Sequence, residues 1–244
     1  MRDYANELQK RVAFIKEALT KAGAQGIVFG NSGGKDSALV GILCKKACAQ
    51  VIGVMMPCES RRNYAEDMAD GLAVAKQYGF ETVTVDLTRA KAELRDQIET
   101  LGEISPLALV NMTPRLRMIT LYTIAQTKNY LVAGSSNRSE RYMGYFTKWG
   151  DGAYDINPIA DLTVTEIYDF LRFLKAPENI LTKAPSAGLF EGQTDEAEMG
   201  ITYAAIDRYL LKGEGDPATI AKIEAFHARS EHKRKLPAMY GEKN

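Results

Sequence analysis

Hydrophobic residues alternate along the first half of the chain between a helical and a strand-like spacing. Over residues 3–22 the apolar positions Leu8, Val12, Ile15 and Leu19 lie three or four residues apart, which predicts a helix. Short apolar runs predict four strands, at 26–30, 51–57, 82–86 and 130–134. Between them the spacing predicts helices over 36–47, 63–78, 88–101 and from Pro114 to 128.

Strands that alternate with helices are typical of a parallel sheet with right-handed crossovers. We therefore predict an α/β fold, a doubly wound parallel sheet with helices on both faces. The pattern changes after Gly134, since residues 135–161 are polar and contain glycine without a clear period, which is more typical of an active-site segment than of a core element. Helical patterns return over 163–174, 202–212 and 217–230, so a single domain over 1–244 with a helical C-terminal part is expected.

Composition narrows the class of protein. Lys and Arg number 31, as do Asp and Glu, and this neutral balance does not suggest binding to nucleic acid or to a membrane surface. No apolar run approaches the roughly 18 residues that span a bilayer, and the acid-containing N-terminus does not resemble a signal peptide. The three cysteines show no Cys-x-x-Cys spacing, so neither a disulfide framework nor a zinc site is indicated. We expect a cytoplasmic protein.

The segment Ser32–Ser37, with the sequence SGGKDS, follows a predicted strand and opens a predicted helix. Glycines allow backbone amides to approach an anion closely, and a helix N-terminus adds unpaired N–H groups. Asp36 suits an anion site only if a cation lies between its carboxylate and the phosphates, and Mg²⁺ is often held in that way. The segment therefore predicts a phosphate-binding loop with Asp36 as a magnesium ligand.

Two other interpretations of this segment are weaker. A Walker A loop needs Gly, four residues, and then Gly-Lys-Ser/Thr, whereas here Asp36 follows Lys35 and Phe29 occupies the first glycine position. An ordinary glycine turn explains a bare Gly-Gly but not the whole hexapeptide. The hexapeptide resembles the SGGxDS signature of the pyrophosphate-loop (N-type ATP pyrophosphatase) superfamily. That resemblance implies a Rossmann-like, adenine nucleotide alpha-hydrolase-like fold in which AMP is transferred to a substrate and pyrophosphate leaves.

A second block, at 134–171, begins GSSNRSERYMGYFTKWGDGAYD and resembles the signature block of the NAD synthetase family. Two later segments, which begin at Lys183 and Ser230, agree with it, so the resemblance covers nearly the whole chain. It implies ATP-dependent amidation of deamido-NAD to NAD with ammonia, through an adenylated intermediate. It also implies Mg²⁺ as cofactor, ATP as co-substrate and a homodimer.

The resemblance assigns roles to individual residues. It implies that Asp36 and Glu140 bind Mg²⁺, and that Asp36, Lys183 and Asp151 take part in catalysis. The implied ATP-binding residues are Gly30, Asn31, Ser32, Gly33, Gly34, Lys35, Asp36, Ser37, Ser135, Lys183 and Ser186. The implied deamido-NAD-binding residues are Arg115, Lys148, Asp155, His232 and Lys233. The chain departs from its relatives at Gly188, where several have Asp, and at Val164, where some have an ATP-contacting Lys, so neither role is transferred.

Other functions share parts of this pattern. A tRNA-thiolating or tRNA-lysidine enzyme has the same loop but needs a nucleic-acid surface, and a guanylate-synthesising relative would normally bring a glutaminase domain. A nucleotide-sensing module without activity would be expected to lose Asp36 or Glu140, and both are present. Glutamine-dependent NAD synthetases carry an amidase domain for which 244 residues leave no room. We therefore expect direct use of ammonia, and a separate glutaminase that supplies it stays an open alternative.

Overall fold

The computed structural model describes residues 2–59, 61–182 and 195–241, without the side chains of 61–66. Its strands are β1 (Gly26–Gly30), β2 (Val51–Met55), β3 (Glu81–Thr84) and β4 (Tyr130–Ala133). The helices of the first part are α1 (Tyr4–Ala22), α2 (Lys35–Ala47), α3 (Arg61–Tyr78), α4 (Thr88–Glu99) and α5 (Pro106–Lys128). Those of the second part are α6 (Arg138–Met143), α7 (Val164–Phe173), α8 (Glu178–Thr182), α9 (Asp195–Met199), α10 (Tyr203–Lys212) and α11 (Pro217–Arg229), followed by a short 3₁₀ turn at Glu231–Lys233.

The four strands form one parallel sheet in the order β3-β2-β1-β4. The chain builds outward from β1 to β3 and then crosses to the other side of β1 to form β4. The direction in which the chain adds strands to the sheet therefore changes between β1 and β4. In open α/β sheets, ligands bind at such a point, outside the carboxyl ends of the strands. The predicted doubly wound fold is confirmed.

Both faces of the sheet are covered because successive side chains of a strand point to opposite sides. In β1, Ile27 and Phe29 lie in the core that α1, α2 and α7 share. Val28 lies in a second core, on the face that α5 covers. A third cluster joins α6 to the C-terminal helices, with Met143 and Ile206 fully buried in it. In the part of the chain that the structure describes, no helix combines the length and the apolar character that crossing a bilayer requires.

The prediction that a helix begins near Pro114 is wrong. The helix begins eight residues earlier, at Pro106, where the Ser105 side chain accepts a hydrogen bond from the backbone of Ala108. Proline is favoured in the first turn of a helix, so Pro106 and Pro114 give the same local signal, and the Ser-Pro pair at 105–106 is the true start. Pro114 is tolerated inside α5 although it removes one backbone donor from the helix.

Several short elements escape the sequence pattern. The segment 135–161 contains α6, a helix of 6 residues, which is too short for a 3.6-residue period to be visible. Helices α8 and α9, of 5 residues each, were not predicted either. Strand β2 ends at Met55 rather than at Pro57, and β3 covers 81–84 rather than 82–86.

Candidate active site

The loop between β1 and α2 has the geometry of an anion site. The Ser32 and Ser37 hydroxyls lie 3.1 Å apart, and the Ser37 hydroxyl also donates to the Gly34 carbonyl at 3.0 Å. Gly34 is the N-cap of α2, and no described side chain caps the first N–H groups of that helix. These donors point out of the helix end, where they and the helix dipole favour a negatively charged ligand.

Gly33 lets this loop pass close to α3. Its φ is +72°, and a Cβ atom at this position would lie 2.1 Å from the backbone carbonyl oxygen of Asp67. The loop also contacts α3 through Asn31, whose side-chain amide donates to the Gly71 carbonyl at 3.1 Å. The loop is therefore fixed by the sheet on one side and by α3 on the other.

Asp36 and Glu140 are brought together by a residue that the sequence analysis did not select, Asn137. The Asn137 side-chain amide donates to Asp36 Oδ1 at 3.2 Å, and its side-chain oxygen accepts from the Glu140 backbone N–H at 2.9 Å. The Glu140 carboxylate in turn accepts from the Asn137 backbone N–H at 3.2 Å, which completes a capping box at the start of α6. The signal for Asn137 was present in the sequence, because Asn-x-x-Glu is a helix-start pattern.

The charges around this pair favour a bound cation. The pKa of Glu140 is raised well above its usual value, first because surrounding protein removes water and second because Asp36 is close. Lys35 offsets part of this charge, with its Nζ 2.6 Å from Asp36 Oδ2. Burial lowers the pKa of Lys35, and the two carboxylates outweigh burial and raise it.

These donors fit a magnesium ion. No group of three His, Cys, Asp or Glu side chains in the described residues forms a metal site. Mg²⁺ does not require one, since it is commonly held by one or two carboxylates together with substrate phosphates and water. Asp36 and Glu140 follow β1 and β4, so the pair lies at the carboxyl edge of the sheet beside the phosphate loop.

The C-terminal helices close over the carboxylate pair. Tyr203, at the start of α10, donates its hydroxyl to Asp195 Oδ2 at 2.9 Å, and both residues are buried. The Lys35 ammonium lies 5.7 Å from the centre of the Tyr203 ring. Asp195 adds a third negative charge that acts on Glu140. Neither Asp195 nor Tyr203 was selected from the sequence.

Asp151 lies in a tight turn that packs on α5. Its carboxylate accepts from the Thr147 backbone N–H at 2.9 Å, while the residue as a whole keeps an exposed surface. Protein surrounds it closely enough that loss of water raises its pKa, while the Thr147 N–H and the charges of Arg117 and Lys233 act in the opposite direction. Gly150 permits the close packing, because a Cβ there would lie 3.0 Å from the Pro114 Cβ.

Four of the five residues assigned to deamido-NAD lie together. Arg115 Nη2 approaches the Lys148 carbonyl at 3.4 Å, and Lys148 Nζ donates to the His232 carbonyl at 2.8 Å. Lys233 Nζ donates to the carbonyls of Gly144 and Phe146, each at 2.8 Å. The segment 230–234 is thus held against the second block, and the cationic side chains of Arg115, Lys148 and Lys233 lie around this contact. We call the region between these three side chains and the phosphate loop the cleft.

Asp155 has different neighbours. Its Oδ1 accepts from the Tyr122 hydroxyl at 3.2 Å, and its Oδ2 accepts from the Val132 backbone N–H at 2.8 Å. These bonds join α5 to β4, so the carboxylate has a structural use in addition to any contact with substrate. Ser135 lies on the loop between β4 and α6, at the same sheet edge as the phosphate loop. Lys183 and Ser186 lie outside the described residues.

Comparison with known proteins gives a consistent result. The family model described as NAD synthase matches residues 7–237. The NH(3)-dependent NAD(+) synthetase of Carboxydothermus hydrogenoformans is 45% identical over 96% of this chain and 97% of its own length. Among solved structures, the NMN synthetase from Francisella tularensis has a TM-score of 0.92 at 36% identity, over 99% of this chain and 100% of its own. The NH3-dependent NAD synthetase from Campylobacter jejuni has a TM-score of 0.78 at 31% identity, over 98% of this chain and 99% of its own.

Proposed function

This chain belongs to the NAD synthase family, and we propose that it converts deamido-NAD to NAD with ATP and ammonia, releasing AMP and pyrophosphate. One observation supports this proposal most strongly. Asn137 joins Asp36 of the phosphate loop to Glu140 of the second block, so the two parts of the sequence signature form one site. The relatives are NH(3)-dependent NAD(+) synthetases by name, and the alternative of a tRNA-modifying enzyme is not favoured.

In this proposal the phosphate loop and Lys35 bind ATP, while Asp36 and Glu140 hold Mg²⁺. The ion supplies positive charge against the phosphates when it is bound. The loop amides and the N-terminus of α2 hold the β- and γ-phosphates, which leaves the α-phosphate open to attack by the acceptor carboxylate. Ser135, Lys183 and Ser186 stay as predicted ATP contacts.

The acceptor dinucleotide would lie along the cationic side of the cleft. Arg115, Lys148 and Lys233 suit its pyrophosphate, and His232 lies beside them. We assign Asp151 to the binding of ammonia or ammonium near the nicotinate carboxyl group. A carboxylate with a raised pKa accepts a proton more readily, which suits the deprotonation that accompanies amide formation. Asp155 remains a proposed acceptor contact.

The reaction has a direct test. Purified protein with ATP, Mg²⁺, deamido-NAD and ammonium should form NAD, AMP and pyrophosphate in equal amounts. Formation of ADP and phosphate would refute the adenylation step. Glutamine in place of ammonium should give little product, since the proposal assigns ammonia as the direct nitrogen donor. Asp36→Ala should abolish turnover, and a near-normal rate would refute its assignment.

The likeness to an NMN synthetase favours one second candidate, in which the acceptor is nicotinate mononucleotide. The chemistry is the same, because both acceptors carry the same nicotinate carboxylate and differ in the adenylate moiety. The ratio of kcat/KM for deamido-NAD and nicotinate mononucleotide decides between them. A ratio well above 1 supports the dinucleotide, and a ratio well below 1 supports the mononucleotide.

We also propose a homodimer that works in the cytoplasm. Five exposed apolar residues lie on α4, α5 and the segment between them, namely Leu94, Ile98, Leu101, Leu107 and Ile119. Exposed apolar side chains on neighbouring helices are common at interfaces between protein chains. Three free cysteines fit a reducing compartment. In sedimentation experiments Leu107→Glu should shift the mass towards a monomer, whereas Leu211→Glu, on α10, should leave it unchanged.

A further inference from the structure

Arg117 lies on α5 and has no role in the function proposed above. It follows Arg115 on α5 by two residues, and the two side chains point to different places. Arg115 is exposed and approaches the Lys148 carbonyl, whereas Arg117 is half-buried and donates its Nε to the Met56 carbonyl at 3.2 Å. Arg117 is therefore directed at the carboxyl end of β2.

This position lies between the two halves of the proposed reaction. Met56 is next to the start of the phosphate loop, because its Cε would lie 3.5 Å from a Cβ placed on Gly30. On the other side, the negative charge of Asp151 attracts the Arg117 guanidinium. Asp151 is the residue assigned to the nicotinate end. The turn that carries Asp151 packs on the same helix at Pro114, about one helical turn before Arg117.

Most of the donors of Arg117 are uncommitted. A guanidinium has five N–H donors, and within the described residues Arg117 makes a single hydrogen bond, to an uncharged carbonyl, and forms no ion pair. Burial lowers the pKa of Arg117, and the charges of Cys58, Asp151 and Asp67 oppose that shift without any contact at ion-pair distance. A partly desolvated cation with free donors weakens the fold, unless a ligand supplies the missing partners.

We propose that Arg117 binds the nicotinate carboxylate of the acceptor through its two terminal nitrogens and presents it to ATP. This inference rests on the proposed function. A guanidinium fork matches a carboxylate in geometry and charge, and a carboxylate held in this way keeps a lone pair for attack on the α-phosphate. The product amide has no negative charge at this position. Arg117 therefore makes the site favour the acid substrate over the amide product, which also promotes release of the product.

A purely structural role predicts something different. If Arg117 only supports the Met56 carbonyl, its removal lowers the melting temperature and weakens acid and amide ligands by the same factor. If it binds the carboxylate, its removal weakens the acid alone and leaves stability unchanged or higher. The ratio of the two affinities is therefore the decisive quantity.

The experiment measures binding of deamido-NAD and NAD by calorimetry, without ATP, for wild type, Arg117→Met and Arg117→Lys. A matched control on the same helix is Lys128→Met, which removes an exposed cation outside the cleft. We expect Arg117→Met to lose roughly tenfold to hundredfold affinity for deamido-NAD and little for NAD, as for one charge-assisted contact. Arg117→Lys should be intermediate, since it keeps the charge and loses the fork. The pair nicotinate mononucleotide and nicotinamide mononucleotide is measured in the same way.

Each outcome is decisive. An acid-to-amide ratio in Arg117→Met equal to that of wild type overturns the inference, as does an equal loss for both ligands with a lower melting temperature. A wild-type protein without preference for the acid overturns it as well. Failure of the proposed function is recognised separately, because in that case the wild-type protein itself forms no amide from either acceptor with ATP and ammonium.

Discussion

Gly33 is the residue at which the phosphate loop comes closest to α3. Alanine at position 33 would destabilise the fold for two reasons. The backbone φ is +72°, and the added Cβ would lie only 2.1 Å from a backbone oxygen that cannot rotate away. We expect Gly33→Ala to raise the KM for ATP at least tenfold and to lower the melting temperature. Gly23→Ala is a matched control, because Gly23 also has a positive φ, of +61°, with nothing within 4 Å of its Cβ position. A melting temperature for Gly33→Ala no lower than that of Gly23→Ala would show that the loop moves freely.

Glu140 offers a cleaner test of the metal site than Asp36. Glutamine can preserve the capping box with Asn137, since Gln also serves at that position, while it removes one of the two negative charges. We expect Glu140→Gln to raise the Mg²⁺ concentration for half-maximal activity by about tenfold or more. Its melting temperature should stay level or rise, because the repulsion from Asp36 is relieved. If the magnesium concentration for half-maximal activity is unchanged, Glu140 does not bind the metal ion.

At the scale of elements, what the sequence can predict depends on length. The buried strands and the helices of ten residues or more show their periods, and their predicted bounds are within a few residues of the structure except at the start of α5. That start was wrong because Pro106 and Pro114 give the same signal, and only packing decides between them. Helix α6 was missed because its six residues cover fewer than two turns. The only sequence signal for α6 was therefore its capping pattern, Asn137 followed three residues later by Glu140.

The segment from Ser230 to Arg234 acts as one element, held by Arg234. Its guanidinium donates to the carbonyls of Arg141 at 3.1 Å, Tyr142 at 3.3 Å and His227 at 2.6 Å. We expect Arg234→Met to raise the KM for the acceptor severalfold while the KM for ATP changes little, because Lys233 and His232 lose their support. Lys235→Met, which removes only an exposed pair with Glu231, should leave both constants as they are. An equal rise in both KM values would mean that the whole fold has loosened.

At the scale of the whole molecule, an ionic network joins distant parts of the chain. Arg11, on α1, donates from Nη1 to Asp161 Oδ1 at 2.7 Å and to the Pro158 carbonyl at 2.5 Å. Arg2 donates to Asp161 Oδ2 at 2.8 Å and to Glu166 Oε1 at 2.7 Å. The network fixes α1 against the loop that precedes α7.

This network predicts a dependence of stability on pH. Burial alone would raise the pKa of Asp161, but the hydrogen bond and charge of Arg11 and the charge of Arg2 lower it below its usual 3.8. A lowered pKa stabilises the fold above pH 3.8, and this contribution is lost as the pH falls through the folded-state pKa. We expect Asp161→Asn to melt below wild type at pH 7, and the difference to shrink as the pH drops below 4. A difference that is constant with pH would contradict the ionic origin.

The site was predictable from the sequence where a motif marks it and not where the fold alone makes it. Asp36 and Glu140 are 104 positions apart in the numbering, and each lies in a recognisable block, so their pairing was predicted. Arg117 and Tyr203 carry no local signal, since an arginine or a tyrosine on a helix is ordinary in any chain. They reach the cleft because the strand order places α5 beside β1 and because α10 packs on α6 and α7.

The contacts made by residues 230–234 have a consequence for the synthesis of the protein on the ribosome. Translation delivers the phosphate loop nearly 200 residues before Lys233, which at about 5–20 residues per second is a delay of roughly 10–40 s. During that interval the nascent chain already contains the phosphate loop, whereas Lys233, one of the three cationic residues of the cleft, has not yet been synthesised. A nonsense mutation just before Ser230 would therefore leave a chain that keeps the phosphate loop, Arg115 and Lys148 but lacks Lys233 and the His232 carbonyl that holds Lys148, and this chain should bind the acceptor more weakly.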